Sequence, residues 1–78
     1  MREGGKVFMK VRPNAILQGG STVPDEERVR FVEDTKDTFK LFLGNRYEHY
    51  RPTGTTRTHQ DGSDLLVFEW MYRTYVAE

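Results

Sequence analysis

The stretch from Leu65 to Val76 restricts the fold more than any other segment of the chain. Its even positions Leu66, Phe68, Trp70, Tyr72 and Val76 make a nearly continuous apolar face, while Glu69 and Arg73 point the other way. A period of two over that length specifies a β-strand with one face buried, and such a strand needs partners. The preceding residues supply them. Asp61-Gly62 is a strong hairpin-turn dipeptide, and the β-branched run Thr55-Thr56-Arg57-Thr58-His59-Gln60 leads into it. Further upstream, Gly44-Asn45 joins Thr38–Leu43 to a return strand that starts at Arg46 and is expected to stop at Pro52. The second half of the chain therefore reads as a four-stranded antiparallel meander.

The first half reads differently. Ala15-Ile16-Leu17-Gln18 is a short strand ended by Gly19-Gly20. Thr22 then stands three residues before Asp25 at N-cap spacing, and Asp25, Glu26 and Glu27 fill a first helical turn near the positive dipole end. Glu26 and Arg30 are spaced as an i,i+4 pair. These signals predict a helix of about three turns, although Arg28-Val29-Arg30-Phe31 also alternates like a strand. The expected fold class is α+β: strand, helix, then the meander, forming an antiparallel sheet of about five strands with one helix packed on it. Residues 1–12 read as a flexible leader or a strand extension, since Met9 could initiate and Val7, Met9 and Val11 alternate. Residues 13–78 read as the domain.

A domain of 78 residues has a marginal core, and small domains commonly recruit disulfides, a metal or a partner subunit. The chain has no cysteine, which excludes disulfides, thiolate metal sites and a cysteine nucleophile. Oligomerisation remains, so a homo-oligomer is expected. Twelve basic residues balance twelve acidic ones, and a nucleic-acid partner is disfavoured because such binders carry a basic excess. No apolar run approaches the roughly 20 residues that span a bilayer, and no signal-peptide core is present. The expected location is cytoplasmic, with no membrane partner.

Chemistry concentrates in Arg46-Tyr47-Glu48-His49-Tyr50-Arg51. A two-residue turn at Gly44-Asn45 would set Phe39 opposite Tyr50, Lys40 opposite His49, Leu41 opposite Glu48, Phe42 opposite Tyr47 and Leu43 opposite Arg46. Phe39, Leu41, Leu43, Glu48 and Tyr50 then share one face, and Lys40, Phe42, Tyr47, His49 and Arg51 share the other. Glu48 falls among apolar neighbours, where burial would raise its pKa toward a general acid or base unless a cation pairs with it. A salt bridge to an arginine is the favoured reading. His49 is the better-placed titrating group and the candidate catalytic residue if the protein is an enzyme. Lys40, Tyr47 and Arg51 beside it are candidate binding residues for an anionic or phenolic ligand. On the last strand Met71, Arg73 and Tyr75 form a second candidate binding face, in keeping with the Met, Arg and aromatic enrichment of interfaces. Gly19-Gly20-Ser21-Thr22 before a helix could hold an anion but lacks the P-loop lysine and spacing, so a tight turn is favoured. His49 and His59 match no metal-ligand spacing, and neither a metal nor a cofactor is expected.

From Pro13 onward the chain resembles a family of small uncharacterised actinobacterial proteins, a domain of unknown function. The matching landmarks are Asn14-Ala15-Ile16-Leu17 with Gly19-Gly20, Pro24 with Glu27-Arg28-Val29-Arg30, and Gly44-Asn45-Arg46-Tyr47-Glu48-His49-Tyr50. They continue through Asp61-Gly62, Val67-Phe68 with Trp70, and Arg73-Thr74-Tyr75-Val76-Ala77-Glu78. The resemblance implies a bacterial cytoplasmic setting and an accessory role, sometimes with specialised-metabolite pathways, and supplies no catalytic residues. The function expected is a small accessory or binding protein, homo-oligomeric, recognising a protein partner or a small metabolite. The alternative is a cofactor-free acid/base enzyme (isomerase, cyclase or hydrolase) using His49. An RNA-binding module comes third, because a sheet can stack bases on aromatics beside arginine.

Overall fold

The computed structural model of the chain describes residues 12–76. The leader expected over residues 1–12 lies, apart from Arg12, outside the described residues. Five strands form one sheet: β1 (Ala15–Gln18), β2 (Val29–Arg30), β3 (Phe39–Leu43), β4 (Arg46–Thr58) and β5 (Asp64–Tyr75). Their order across the sheet is β2-β1-β5-β4-β3. β3, β4 and β5 are antiparallel neighbours, whereas β1 runs parallel to β5, with Ala15 beside Leu66 and Leu17 beside Phe68. The sheet is therefore mixed, not antiparallel.

The expected three-turn helix is absent, and the α+β class is overturned: the described fold is nearly all β. Only a single 3-10 turn, Asp25–Glu27, forms where the helix was expected. Its cap position is Pro24, without a side-chain cap bond, and the Thr22 hydroxyl bonds elsewhere. Glu27, not Glu26, pairs with Arg30 at 3.0 Å, and Asp25 pairs with Arg28 at 3.4 Å. Two tertiary demands outweigh the local helix signals. β1 needs a second neighbour, and Val29 and Arg30 pair with Ile16 and Ala15. Asn14 extends that pairing, its side chain accepting from Val32 N at 2.8 Å and donating to Val32 O at 3.0 Å. The Arg28 guanidinium meanwhile donates to the carbonyls of Leu17, Gly19, Gly20 and Val23 at 2.7 to 3.1 Å, which fixes the loop around it. Those carbonyls face a cation, so the Gly19–Thr22 loop is the tight turn and not an anion cradle.

The meander has three strands instead of four, because β4 continues through Pro52 to Thr58. Along β4 the backbone groups of Arg46, Glu48 and Tyr50 face β3, and by alternation so would those of Pro52. β3 begins at Phe39, opposite Tyr50, so the missing N–H of Pro52 has no partner to lose. Beyond it the strand bulges over Thr53–Thr55, where Thr53 Oγ1 donates to Val67 O at 2.9 Å.

The core lies on one face of the sheet, beneath the loops that lead from β1 to β3. Ala15, Leu17, Val23, Val32, Leu41, Tyr50 and Phe68 form a buried cluster, with Phe39, Leu43, Leu66 and Trp70 packed at its margin. Leu65 and Val67 are also buried, on the other face of β5. The radius of gyration is 14.6 Å, above the ~12 Å of a compact domain this long.

Candidate functional site

The hairpin of β3 and β4 has the expected register, from Leu43 opposite Arg46 to Phe39 opposite Tyr50. Alternation then splits the Arg46–Arg51 run as anticipated: Arg46, Glu48 and Tyr50 face the core, and Tyr47, His49 and Arg51 face away from it. On the outer face an aromatic row crosses three strands. The Phe42 and Tyr47 rings lie 4.9 Å apart, and Tyr47 and His49 lie 6.5 Å apart. His49 stacks on Tyr72 of β5 at 4.4 Å with 26° between the planes, and its Nε2 bonds Thr74 Oγ1 at 2.8 Å. Phe42 and Tyr72 remain 53% and 51% exposed, which is unusual for apolar rings clustered on a small domain. Lys40 stands exposed beside the row, and Arg51 pairs loosely with Glu69 at 3.5 Å.

Tyr72 reaches this face through a bulge. His49 pairs with Tyr72 while Tyr50 pairs with Trp70, so Met71 is an extra residue in β5 and alternation reverses across it. Tyr72, expected in the core, turns outward. Arg73, expected on an interaction face with Met71 and Tyr75, turns to the core side opposite Glu48. Met71 is the half-buried bulge residue, and Tyr75 is exposed at the margin beside Arg46. The three residues therefore do not form the single face that uninterrupted alternation predicts.

On the core side Glu48 is fully buried and fully bonded. Its Oε2 accepts from Arg46 Nε at 2.6 Å, Arg73 Nε at 2.9 Å and Thr22 Oγ1 at 3.4 Å, and its Oε1 accepts from Trp70 Nε1 at 2.8 Å. Burial by itself pushes this carboxyl up, but the bonds from Arg46, Trp70 and Arg73 outweigh it and hold the pKa at about 2. The salt-bridged reading is the observed one, and the carboxyl is held below its ordinary pKa instead of raised above it. Nearby, Tyr50 donates to Gly19 O at 2.9 Å, and burial pushes its phenol up, keeping it a donor.

A depressed folded-state pKa stabilises the fold above the ordinary carboxylate range. That contribution is lost as pH falls from about 4.5 through 2, and the shift corresponds to roughly 3 kcal/mol. We expect acid unfolding in that window, followed by circular dichroism, with a flatter acid limb in Glu48→Gln. An identical acid limb in the variant would exclude Glu48 as the source.

An open depression of about 480 Å³ is lined by Gln18, Gly19, Thr53, Thr55, Val67, Glu69 and Trp70. His49, Tyr47 and Lys40 are not part of it. Among the described residues no three His, Cys, Asp or Glu side chains converge as metal ligands, and no helix is long and apolar enough to cross a membrane. Of the sequence-predicted residues, the structure brings Lys40, Tyr47, His49 and Arg51 to one face. It adds Phe42, whose place followed from the turn, and Tyr72, which only the bulge could reveal.

No curated protein and no solved structure matches the chain. A family model described as a family of unknown function (DUF5988) matches residues 9–78, nearly the whole length, and the chain belongs to that family.

Proposed function

We propose that the protein is a small accessory or binding protein, working as a homo-oligomer and recognising a protein partner or a planar metabolite through the outer face of β3, β4 and β5. The observation that carries this reading is the aromatic row Phe42, Tyr47, His49 and Tyr72 on one face of the sheet, with Phe42, Tyr47 and Tyr72 exposed, His49 half-buried between them, and Lys40 beside the row. Flat aromatic surfaces bind other planar groups at low entropic cost, and a cation beside them favours an anionic partner. The acid/base alternative would need His49 in a concave site, and the depression lined by Gln18, Thr53 and Trp70 does not include it, so the exposed aromatic row supports binding better than catalysis. An RNA-binding role draws no support from the neutral net charge. The resemblance noted above adds an actinobacterial, cytoplasmic setting and an accessory role in specialised metabolism to the proposal.

The test is an NMR titration with a panel of planar aromatic carboxylates. Shifts should cluster at Tyr47, His49, Tyr72 and Thr74, and Tyr72→Ala should weaken binding at least about tenfold while leaving the melting temperature within a few degrees. Shifts confined to Gln18, Thr53 and Thr55 would defeat this reading.

A further inference from the structure

β3 is an edge strand, and among the described residues only β4 pairs with it. In a two-residue hairpin the residues flanking the turn form a hydrogen-bonded pair, and bonded and non-bonded pairs alternate from there. Leu43, Leu41 and Phe39 thus spend their backbone groups on β4. Lys40 and Phe42 direct theirs, two N–H and two C=O, toward the open edge. The other open edges are interrupted. β2 has two residues, β4 past Tyr50 carries Pro52 and the Thr53–Thr55 bulge, and β5 past Glu69 carries the Met71 bulge. Natural sheets blunt exposed edges in those ways and with charged side chains, above all lysine; β3 is a regular strand without proline, glycine or bulge, and Lys40 is its one charged side chain.

We propose that two copies of this chain join through β3, antiparallel about a two-fold axis at Leu41, into one continuous sheet. In that register Lys40 pairs with the partner's Phe42 and Phe42 with the partner's Lys40, which satisfies all four free backbone groups of each strand. On the core side, half-buried Phe39 meets the partner's Leu43, and buried Leu41 meets the partner's Leu41. The core then continues across the seam instead of ending at it. On the outer side each Lys40 ammonium lies beside the partner's Phe42 ring, a cation–π contact. The aromatic rows of the two copies meet end to end. The neighbouring registers are worse. Centring on Lys40 sets like charges opposite each other, and centring on Phe42 draws the turn residue Gly44, at φ +63°, into the ladder. This interface supplies the homo-oligomer of the proposed function but is independent of what the outer face binds.

Sedimentation of the full chain over a micromolar concentration series should give twice the 9.2 kDa chain mass. Phe42→Pro removes an N–H that points away from β4, so it should weaken the dimer at least about tenfold without unfolding the hairpin. A cysteine scan fixes the register, since the chain has no other thiol. Under mild oxidation Leu41→Cys should cross-link at least about tenfold faster than Lys40→Cys or Phe42→Cys, because a non-bonded antiparallel pair sets Cα atoms ~4.5 Å apart, within disulfide range. A monomeric mass throughout, an unweakened Phe42→Pro dimer, or fastest cross-linking at Lys40→Cys or Phe42→Cys would each overturn the proposal. If Leu41→Cys does not fold, the Phe42→Pro result decides. Tyr72→Ala lies two strands from the seam and should leave the mass unchanged, so a failure of ligand recognition is read separately.

Discussion

Replacing Glu48 with alanine should destabilise the domain by about 3–5 kcal/mol, the usual cost of removing one member of a buried ion cluster. The magnitude follows from what is left behind. Arg46 and Arg73 would face each other without the carboxylate that both contact through Nε, and Trp70 Nε1 would lose its acceptor. Total stabilities of domains this size are on the order of 5 kcal/mol, so Glu48→Ala should be largely unfolded in a chemical denaturation series that the unsubstituted chain survives. Arg46→Ala or Arg73→Ala should each cost less, because the other arginine still pairs with Glu48. The diagnostic comparison is a triple variant, Arg46→Leu, Glu48→Leu and Arg73→Met. It removes every charge and should be more stable than Glu48→Ala alone. If Glu48→Ala loses under about 1 kcal/mol, the cluster does not anchor the sheet.

The same cluster shows which parts of the fold local sequence could specify. The β3–β4 register was legible because Gly44-Asn45 fixes a two-residue turn, and everything along the hairpin follows by alternation. That carried the outer placement of Lys40, Phe42, Tyr47, His49 and Arg51, and the core placement of Glu48. The bulge at Met71 carries no compositional signal. Without it Tyr72 reads as core and Arg73 as surface, and both inversions trace to that one extra residue. The missing helix has a different origin. Thr22 and the acids after it are genuine helix-start signals, but the residues that would continue the helix are claimed by β1 and by the four carbonyls around Arg28. Those contacts depend on the parallel pairing of β1 with β5, whose partners stand 51 residues apart in sequence, and for which no local pattern exists. Pro52 misleads for a related reason. Whether a proline ends a strand depends on what its missing N–H would have faced, and that is set by where β3 begins.

Gly20→Ala should cost about 2–5 kcal/mol, and its cause can be separated from simple backbone strain. Gly20 sits at φ +82°, where a side chain costs roughly 1–2 kcal/mol. A methyl there would also lie 2.8 Å from Trp70 Cδ1, 2.9 Å from Tyr50 Oη and 3.2 Å from Val23 Cγ2. None of these atoms can yield freely. Trp70 is held by its bond to Glu48, Tyr50 by its bond to Gly19 O within the core, and Val23 is buried beneath the loop. Relieving the clash therefore shifts the Glu48 cluster or the core, and overpacking of that kind adds about 1–3 kcal/mol. Gly54→Ala supplies the control. Gly54 has nearly the same φ, +83°, but nothing within 4 Å of an added methyl, so it should lose only the backbone term of roughly 1–2 kcal/mol. Paired denaturation curves for the two variants measure the difference. Equal losses would mean that the loop moves away from Trp70 and Tyr50 at no cost, and that the Gly19–Gly20 turn does not lock β1 against β4 and β5.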